Sequence, residues 1–431
     1  MEIIKNPPRE KWPRLLSRPS DSTFRIEARV REILAIVKTS GDAALREYSR
    51  RFDGAELEKF AVPDAEFQKA EAAVDAALKA AIQTARQNIE KFHRSQRQEV
   101  EQVETQPGVL CWRRSVAIER VGLYIPGGTA PLFSTVLMLA IPALIAGCRE
   151  IVLCTPPDRE GRVHPAILYT AKMLGLRKIY KVGGAQAIAA MAYATESVPR
   201  VDKIFGPGNQ YVTTAKQIVS TEGVAIDMPA GPSELAVIAD ESAHPDFVAA
   251  DLLSQAEHGA DSQVILVTDS KDLLEKVQQS VRRQLADLPR REIAEAALAN
   301  SRLFWLPNLE EALDLVNSYA PEHLILMTAN AEEIAQRVSN AGSVFIGSYT
   351  PESAGDYASG TNHTLPTNGY ARSYSGLSVD SFVKKITFQQ IDAAGIRRLG
   401  PAIESMARAE ELEAHARAVG VRLKMLAKEL P

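Results

Sequence analysis

The order of apolar and polar residues over the first hundred or so positions predicts helices. Apolar side chains recur at helical spacing in Ser22–Val37, and a second helix is predicted over Asp42–Phe52, after a Thr-Ser-Gly start signal. This region shows no grouping of residue types that carry chemistry. We therefore expect it to act as scaffold.

From Val121 onward the pattern changes to short β-branched runs that alternate with helices and end in Gly or Pro. The runs GLYIPGG, EIVLCTPP, KIYKVGG and KIFGPGN predict a parallel α/β domain that continues to about residue 232. A second series predicts a similar α/β domain, and the likeness of IVLCTPP to VILVTDS hints at an internal duplication. Its predicted elements are the strand Leu235–Asp240, the helix Pro245–His258, and the strands Gln263–Thr268, Leu303–Leu306 and His323–Met327.

One uncharged stretch, Ala130–Gly147, is close to the ~18 residues that suggest a membrane helix. Pro131 and Pro142 interrupt it, and no Lys or Arg anchors its N-terminal side. It leads directly into Glu150–Thr155, which has the pattern of a buried strand. These features favour a buried helix of an α/β layer over a membrane span.

Beyond about residue 380 the pattern is helical and charged, and Pro401–Leu430 predicts one or two amphipathic helices. Helices of this size cannot bury a core alone, so we expect them to dock on another surface. The predicted organisation is an N-terminal arm (1–22), one α/β domain (23–120 plus 233–378), a second α/β domain (121–232) and a C-terminal helical segment (379–431).

Composition narrows the class of protein. A chain of 431 residues exceeds the ~250–300 residues that one hydrophobic core holds, so at least two domains are expected. Lys and Arg total 50 against 54 Asp and Glu, and the absence of a basic stripe argues against a nucleic-acid partner. The first residues lack the pattern of an export signal, and three cysteines in so long a chain fit a reducing compartment. We expect a cytoplasmic enzyme.

Two pairs of residues are candidates for chemistry. Gln255 and His258 lie three residues apart on a predicted helix that Gly259 ends, so both project from one face and suit a metal ion. On spacing alone, a hydrogen-bonded surface pair is the simpler interpretation, because Gln-x-x-His is far weaker than an HExxH motif. Glu322 and His323 stand just ahead of an apolar strand, where α/β sheets collect catalytic groups. Adjacent residues of an extended segment point oppositely, so these two need a turn to cooperate.

The remaining histidines differ in their surroundings. Ser353–Thr364 is a loop of small residues that presents Asp356 and His363, which favours a functional loop over a plain flexible one. His415, by itself, has the pattern of a solvated position in the C-terminal helix. Three others have no partner pattern and are expected at the surface: His93, His164 and His244.

Glycine-rich turns at Ile125–Thr129, Gly183–Ala187 and Gly206–Asn209 follow predicted strands and precede helices. Backbone N–H groups in such turns meet phosphates in many nucleotide sites, yet tight βα turns without a ligand have the same composition. Because no G-x-G-x-x-G occurs, these turns alone do not identify a dinucleotide site.

As a set, these segments resemble the histidinol dehydrogenase family. The matching segments run in order through GLYIPGG, VGGAQAIAA, VDKIFGPGN, AIDMPAGPSE, DLLSQAEHG, APEHL and SAGDYASGTNHTLPT to the AH of the C-terminal helix, and they span most of the chain. The resemblance implies two similar, incomplete Rossmann-like α/β domains with helical N- and C-terminal extensions in an intertwined homodimer. Residues 121–232 would bind NAD. The departures from the family pattern, at Asp158–His164 and Thr221–Gly223, touch no implied site residue.

The resemblance also implies the site residues. Glu322 and His323 would be catalytic, and Tyr124, Gln186 and Asn209 would contact NAD. One zinc ion would be bound by Gln255, His258, Asp356 and His415, with His415 of the partner subunit completing the set, and imidazoles with a carboxylate suit Zn²⁺. The implied substrate contacts are Ser233, Gln255, His258, His323, Asp356, His363, Glu410 and His415.

The family reaction is the four-electron oxidation of L-histidinol to L-histidine with two NAD, through a bound aldehyde. His323 would act as base in both oxidation steps, since imidazole titrates near neutrality, and Glu322 would activate water. Zinc would hold the imidazole and amino nitrogens of the substrate. Water would take the place of a thiol, because Cys111, Cys148 and Cys154 lie among apolar residues with no activating neighbour.

Two rival functions stay open at this point. In a zinc-dependent hydrolase, Glu322 and His323 would serve a metal-bound water and the glycine loops would be only turns. In a nucleotide- or metal-sensing module, Glu322 and His323 would have no role. Formation of reduced cofactor separates the dehydrogenase from the hydrolase, and tight NAD binding without turnover would favour the sensor.

Overall fold

The computed structural model of the chain describes residues 1–19, 23–127, 131–229 and 231–428, with the backbone alone for 23–25. The chain forms two units, one of Met1–Gln96 and Ile118–Phe382 and one of Arg97–Ala117 and Val383–Pro431. The larger unit contains two parallel sheets, and the smaller unit contains an antiparallel sheet and two helices. The predicted α/β class is therefore confirmed.

Five parallel strands form the first sheet of the larger unit. The third, second, first, fourth and fifth strands in chain order lie side by side, which is a doubly wound arrangement. In spatial order the strands are Ile179–Lys181, Glu150–Thr155, Arg120–Tyr124, Lys203–Phe205 and Ala225–Ile226. The helices that connect them are Phe133–Ala146, Pro165–Met173, Gly184–Tyr193 and Gln210–Ser220.

The second sheet repeats that strand order and adds one strand at its edge. The extra strand, Glu2–Lys5, pairs in parallel with Arg302–Trp305 and was not predicted for the N-terminal arm. In spatial order the remaining strands are Arg302–Trp305, Gln263–Thr268, Glu234–Ala239, His323–Met327 and Ser343–Ile346. Their connecting helices are Pro245–Ala256, Lys271–Leu285, Arg291–Ala299, Leu309–Tyr319 and Ala331–Ala335. The common order confirms the prediction of two similar α/β halves and fits an internal duplication.

The uncharged stretch is a buried helix. The helix begins at Phe133, residues Ser134 to Ala143 are all buried, and Gly147 ends the helix with a φ of 88°. Ala130 lies outside the described residues. Among the described helices, none combines the length and apolar character that crossing a membrane requires.

The N-terminal helices pack differently from the prediction. The helical stretch Thr23–Tyr48 consists of two helices that meet at a kink at Gly41, where φ is 51° and ψ is −131°, so the prediction of two helices is confirmed; Ser22 lies outside the described residues. Its apolar face, including Val30 and Leu34, packs with Val152 and Ile188 of the first sheet and its helices. The predicted grouping of these helices with the second sheet is therefore corrected. Helical periodicity shows that one face of a helix is buried, but not which surface covers it. The other helical segments before the first sheet are Arg9–Lys11, Trp12–Leu15, Ser49–Asp53, Asp64–Ala73 and Ala76–Arg94.

The smaller unit corrects the prediction of a helical segment from residue 379. Val383–Ile391 is a strand that pairs antiparallel with Val109–Ala117, which in turn pairs with Gln102–Gln106. Two helices, Ala393–Ala409 and Glu413–Lys428, pack against each other, and Leu430 lies outside the described residues. The strand was missed because its pairing partner lies far earlier in the chain. Short helical turns at Tyr370–Arg372 and Val379–Phe382 complete the larger unit.

Candidate active site

A cavity of about 1140 Å³ opens in the larger unit. One wall is the loop Gly206–Asn209, which follows the carboxyl end of a strand in the first sheet. Another wall comes from residues at the amino ends of strands in the second sheet, including Ser233 and Glu322. His258 and His363 also line the cavity. The structure thus brings five of the sequence-predicted site residues to one space.

Glu322 and His323 form a buried pair beside this cavity. Ala320, with a φ of 54°, makes the left-handed turn that precedes them, and Glu322 Oε2 lies 3.6 Å from His323 Nδ1. They stand at the amino end of their strand, whereas ligand sites in open α/β sheets ordinarily form at carboxyl ends. His323 Nδ1 lies 3.2 Å from the carbonyl oxygen of Glu234, so in the neutral imidazole Nδ1 carries the proton and Nε2 the lone pair. His323 Nε2 is buried without a hydrogen-bond partner among the described residues.

Three carboxylates surround the imidazole of His323. Its Nε2 lies 3.5 Å from Asp356 Oδ1 and 4.0 Å from Glu352 Oε1. Burial lowers the pKa of His323, but the negative charges of Glu322, Asp356 and Glu352 outweigh burial and raise this pKa well above its ordinary value. Burial by itself raises the pKa of Asp356, but the imidazole of His323 lowers this pKa below its ordinary value. Burial raises the pKa of Glu352 to about 8.

His258, Glu352 and Asp356 form a group that suits a metal ion. One ligand atom from each lies within 4.8 Å of the others. Gln255 is fully buried. In the amide orientation that satisfies both its oxygen and its nitrogen, the nitrogen donates to Glu352 Oε2 at 3.1 Å. Imidazole and carboxylate donors in this proportion fit Zn²⁺. The predicted helix Pro245–His258 ends at Ala256, so His258 reaches the group from the residues just after the helix.

Sequence reasoning missed Glu352. This residue and Asp356 lie one turn apart in the helix Glu352–Tyr357, where a loop was predicted, so both carboxylates project from one face. Ser254 donates to Glu352 Oε2 at 2.7 Å. The i, i+4 spacing of the two acids was the available signal, but with only six residues the helix has no periodic apolar pattern.

Ser233 and His363 join the same site through hydrogen bonds. Ser233 Oγ lies 3.4 Å from His258 Nδ1. His363 Nδ1 lies 2.9 Å from the carbonyl oxygen of Asp356, and its Nε2 lies 3.1 Å from Thr135 Oγ1. Burial lowers the pKa of His363, which favours the neutral imidazole.

The three residues expected at a cofactor lie at the carboxyl ends of first-sheet strands. Tyr124 accepts a hydrogen bond from the Gly184 N–H at 3.0 Å, and burial raises the pKa of Tyr124 to about 12. Gln186 is buried in the helix that starts at Gly184. Asn209 caps the next helix by accepting from the N–H groups of Tyr211 and Val212, and it lines the cavity. Gly128 and Thr129 of the first glycine turn lie outside the described residues.

The other histidines and Glu410 are described by their own surroundings. Glu410 and His415 belong to the smaller unit, where both are exposed. His164 and His244 are exposed as predicted. The prediction for His93 was wrong, because its ring is fully buried, with Nδ1 2.9 Å from the carbonyl oxygen of Ile89 and Nε2 3.3 Å from Asn362 Nδ2.

A repeated parallel α/β fold with a buried histidine and carboxylate group beside a large cavity defines a two-sheet α/β enzyme. An acetylating aldehyde dehydrogenase from Geobacillus thermoglucosidasius has a similar fold, with a TM-score of 0.50 and 15% identity over 88% of this chain and 96% of that one. A family model described as histidinol dehydrogenase matches residues 16–423. The chain belongs to the histidinol dehydrogenase family, which makes it an oxidoreductase.

Relatives and a solved structure agree with that assignment. The histidinol dehydrogenase of Bacteroides thetaiotaomicron is 62% identical over 426 residues, which are 99% of this chain and 100% of the relative. That of Vibrio parahaemolyticus is 52% identical over 96% of this chain and 95% of the relative. The crystal structure of histidinol dehydrogenase from Elizabethkingia anophelis has a TM-score of 0.97 and 56% identity, and covers 99% of each chain.

The raised pKa of Glu352 predicts a specific pH dependence of stability. Between pH 4.5 and about 8, the folded metal-free protein keeps a proton on Glu352 that the unfolded chain releases, so this group lowers the free energy of unfolding as pH rises through that window. Glu352→Gln should therefore gain stability relative to wild type with rising pH, by about 2–4 kcal/mol at pH 8.5. Denaturant unfolding of the metal-free proteins from pH 5 to 9 measures this difference.

The matched control is Glu275→Gln, whose carboxylate is 57% exposed. Its unfolding free energy should follow that of wild type at every pH. A Glu352→Gln difference that does not change with pH would mean that Glu352 is ionised throughout.

Proposed function

We propose that the protein oxidises L-histidinol to L-histidine at one site, in two oxidation steps through bound L-histidinaldehyde. The observation that carries this proposal is the buried pair Glu322 and His323. Glu322 lines the cavity, and His323 lies beside Asp356 of the group that suits a metal ion. Family membership supports the substrate, since relatives up to 62% identical are histidinol dehydrogenases.

His323 is the base for both steps. The carbonyl of Glu234 holds its Nδ1–H, and its Nε2 has no hydrogen-bond partner among the described residues. In the neutral imidazole, which a bound metal ion would favour by offsetting the nearby carboxylates, Nε2 has a lone pair for the proton of the substrate hydroxyl. Thr135 and the carbonyl of Asp356 hold His363 in a fixed orientation. Ser233, His363 and Glu410 are the proposed substrate contacts beyond His323 and the metal ligands.

Glu322 activates the water that the second step requires. Its Oε2 accepts the N–H of Glu234 at 2.9 Å, and its side chain lines the cavity, so one oxygen is oriented while the group keeps access to the site. The carboxylate takes a proton from water as the aldehyde is hydrated. Burial raises the pKa of Cys148 to about 11 and that of Cys154 far above its ordinary value, so neither thiol supplies a thiolate for this step.

Zinc and NAD are the proposed cofactors. Gln255, His258 and Asp356 would hold zinc with His415 of the partner subunit, and Glu352 is a further carboxylate within reach of this group. When bound, zinc fixes the nitrogens of the substrate and NAD accepts hydride. Tyr124, Gln186 and Asn209 are the proposed NAD contacts, supported by their place at the carboxyl ends of the first sheet. The homodimer and a cytoplasmic location, which the unpaired Cys111, Cys148 and Cys154 fit, belong to the same proposal.

Replacing the two catalytic residues should affect the half-reactions differently. His323→Asn is expected to lower turnover of histidinol by ~10²–10⁴, because both steps lose their base. Glu322→Gln should slow oxidation of added histidinaldehyde more than NADH formation from histidinol, since only the aldehyde step needs activated water. Absorbance of NADH in single-turnover and steady-state assays measures both. His164→Asn, at an exposed position, is the control.

Equal loss in both half-reactions would give Glu322 a structural role. Full turnover by His323→Asn would remove the base assignment. Hydrolysis of an ester or amide without NADH formation would favour the zinc hydrolase instead.

Loss of a proposed metal ligand should reproduce loss of the metal. A chelator is expected to abolish histidinol oxidation and leave NAD affinity within about twofold, because no residue of the metal group is among the proposed NAD contacts. His258→Asn should lower metal affinity by at least ~10-fold, measured as zinc per chain after dialysis against a competing chelator. His244→Asn, an exposed histidine of the same region, should retain wild-type zinc content. A zinc-free enzyme with full turnover would contradict the metal assignment.

The shared-site part of the proposal is tested with mixed dimers. If His415 completes the site of the partner, a His323→Asn chain paired with a His415→Asn chain places both lesions in one site and leaves the other site intact. Random reassembly gives about half mixed dimers, so roughly a quarter of wild-type activity should return from two inactive parents after joint refolding. If His415 serves its own chain, every site in the mixed dimer carries a lesion and no activity returns.

A further inference from the structure

The backbone N–H and carbonyl of Glu234 hold the two proposed catalytic side chains. The N–H of Glu234 donates to Glu322 Oε2 at 2.9 Å, and the carbonyl oxygen of Glu234 lies 3.2 Å from His323 Nδ1. Glu234 is the first residue of its strand, and that strand pairs in parallel with the His323–Met327 strand. Any shift of the Glu234 backbone therefore moves the carboxylate that orients water and the imidazole that accepts protons.

The side chain of Glu234 is itself a buried charge. It is 2% exposed, so its carboxylate requires compensation by donors and by a positive charge. Arg18 supplies both with two parallel bonds, from Nε to Oε1 and from Nη2 to Oε2 at 2.8 Å. The N–H of Asn368 donates to Oε1 at 2.6 Å.

The same guanidinium holds the turn that leads to the catalytic pair. Arg18 Nη2 donates to the carbonyl of Tyr319 at 2.9 Å and lies 3.4 Å from the carbonyl oxygen of Ala320. The Cζ atom of Arg18 lies 4.2 Å from the centre of the Tyr319 ring. Ala320 has a left-handed φ of 54°, which a residue with a side chain seldom adopts unless its surroundings hold it. Glu322 follows two residues later.

Hydrogen bonds attach the N-terminal arm to the second sheet just before Arg18. The carbonyl of Leu15 accepts from Arg302 at 2.7 Å, and that of Ser17 accepts from Gln263 at 3.1 Å. Both donors belong to strands of the second sheet, so the backbone on the N-terminal side of Arg18 is attached to the sheet that carries Glu322 and His323.

We propose that Arg18 is a positioning residue of the enzyme, which fixes Glu322 and His323 by clamping the Glu234 carboxylate to the turn at Tyr319 and Ala320. The inference rests on the proposed roles of Glu322 and His323. Arg18 also lines the cavity, but its Nε and Nη2 are occupied by Glu234 and the Tyr319 carbonyl. Its action is therefore through these partners, and loss of the residue should change kcat more than the KM of either ligand.

The test uses the zinc-loaded full-length enzyme with Arg18→Gln, Arg18→Lys and the double variant Arg18→Gln with Glu234→Gln. Arg18→Gln leaves a buried carboxylate without its counter-charge, so kcat should fall by ~10- to 100-fold, as for small displacements of catalytic groups. The KM for histidinol and for NAD should stay within about threefold, and zinc content should be unchanged. The double variant removes the unpaired charge and should recover kcat at least ~3-fold over Arg18→Gln. Arg14→Gln, an exposed arginine of the same arm, is the control and should match wild type.

Three results would overturn the proposal. A raised KM with unchanged kcat would make Arg18 a ligand contact. A lowered Tm with wild-type kcat in the folded protein would make it structural only. Absence of recovery in the double variant would show that Arg18 does not act through Glu234. If Arg18→Gln does not fold, Arg18→Lys carries the test, since it keeps the charge without the paired bonds; a ~3- to 10-fold lower kcat supports the proposal and a wild-type kcat overturns it.

His323→Asn and Glu322→Gln are assayed beside these variants, so that a failure of the Arg18 proposal can be told from a failure of the proposed catalytic roles. If both lose turnover while Arg18→Gln does not, only the inference about Arg18 fails. If both retain turnover, the proposed catalytic roles fail whatever Arg18 does.

Discussion

The imidazole of His323 is buried against three carboxylates, and the rest of the site depends on how that charge is balanced. Asp356 and Glu352 approach Nε2 to 3.5 and 4.0 Å, and Glu322 approaches Nδ1 to 3.6 Å. One imidazolium cannot neutralise three such carboxylates. Burial, together with the nearby charge of Asp356, raises the pKa of Glu352 to about 8, so without a further cation this group keeps its proton. A divalent cation bound beside His258, Glu352 and Asp356 would balance the remaining charge and allow His323 to work as a neutral base.

The fold creates this arrangement by placing different strand ends of its two sheets around one cavity. The first sheet contributes the loop after the carboxyl end of Lys203–Phe205, as expected for an open α/β sheet. The second sheet contributes the amino ends of Glu234–Ala239 and His323–Met327. Because these strands are neighbours in parallel register, the first residue of one can hold the side chains that begin the other. Rigid, fully buried strands are suited to that task, since their backbone positions are fixed by hydrogen bonds on both sides.

The N-terminal arm connects chain segments that are remote in sequence. Its first strand extends the second sheet beside Arg302–Trp305, and Arg18 joins Glu234 to the end of the Leu309–Tyr319 helix. By contrast, the following helix, Thr23–Tyr48, packs on the first sheet. The arm thus contributes to the geometry of the second sheet while the helix behind it belongs to the core of the first. A Glu–Arg pair buried in this manner favours one geometry more than it adds stability, since desolvation offsets much of the attraction between the charges.

The sequence by itself determined the class of fold, most strand positions and the residue types of the site. Alternating apolar runs with Gly or Pro endings located Glu150–Thr155, Gln263–Thr268 and His323–Met327 to the residue, because buried parallel strands are short, apolar and bounded by turns. Tertiary structure alone decided which surface the N-terminal helices cover, that Val383–Ile391 is a strand, that His93 is buried, and that Glu352 joins His258 and Asp356. Each of these depends on a partner distant along the chain. Local periodicity indicates which face of an element is buried, and the residue type indicates its charge. Which strand, helix or side chain contacts that face or charge is decided by the packing of the whole chain.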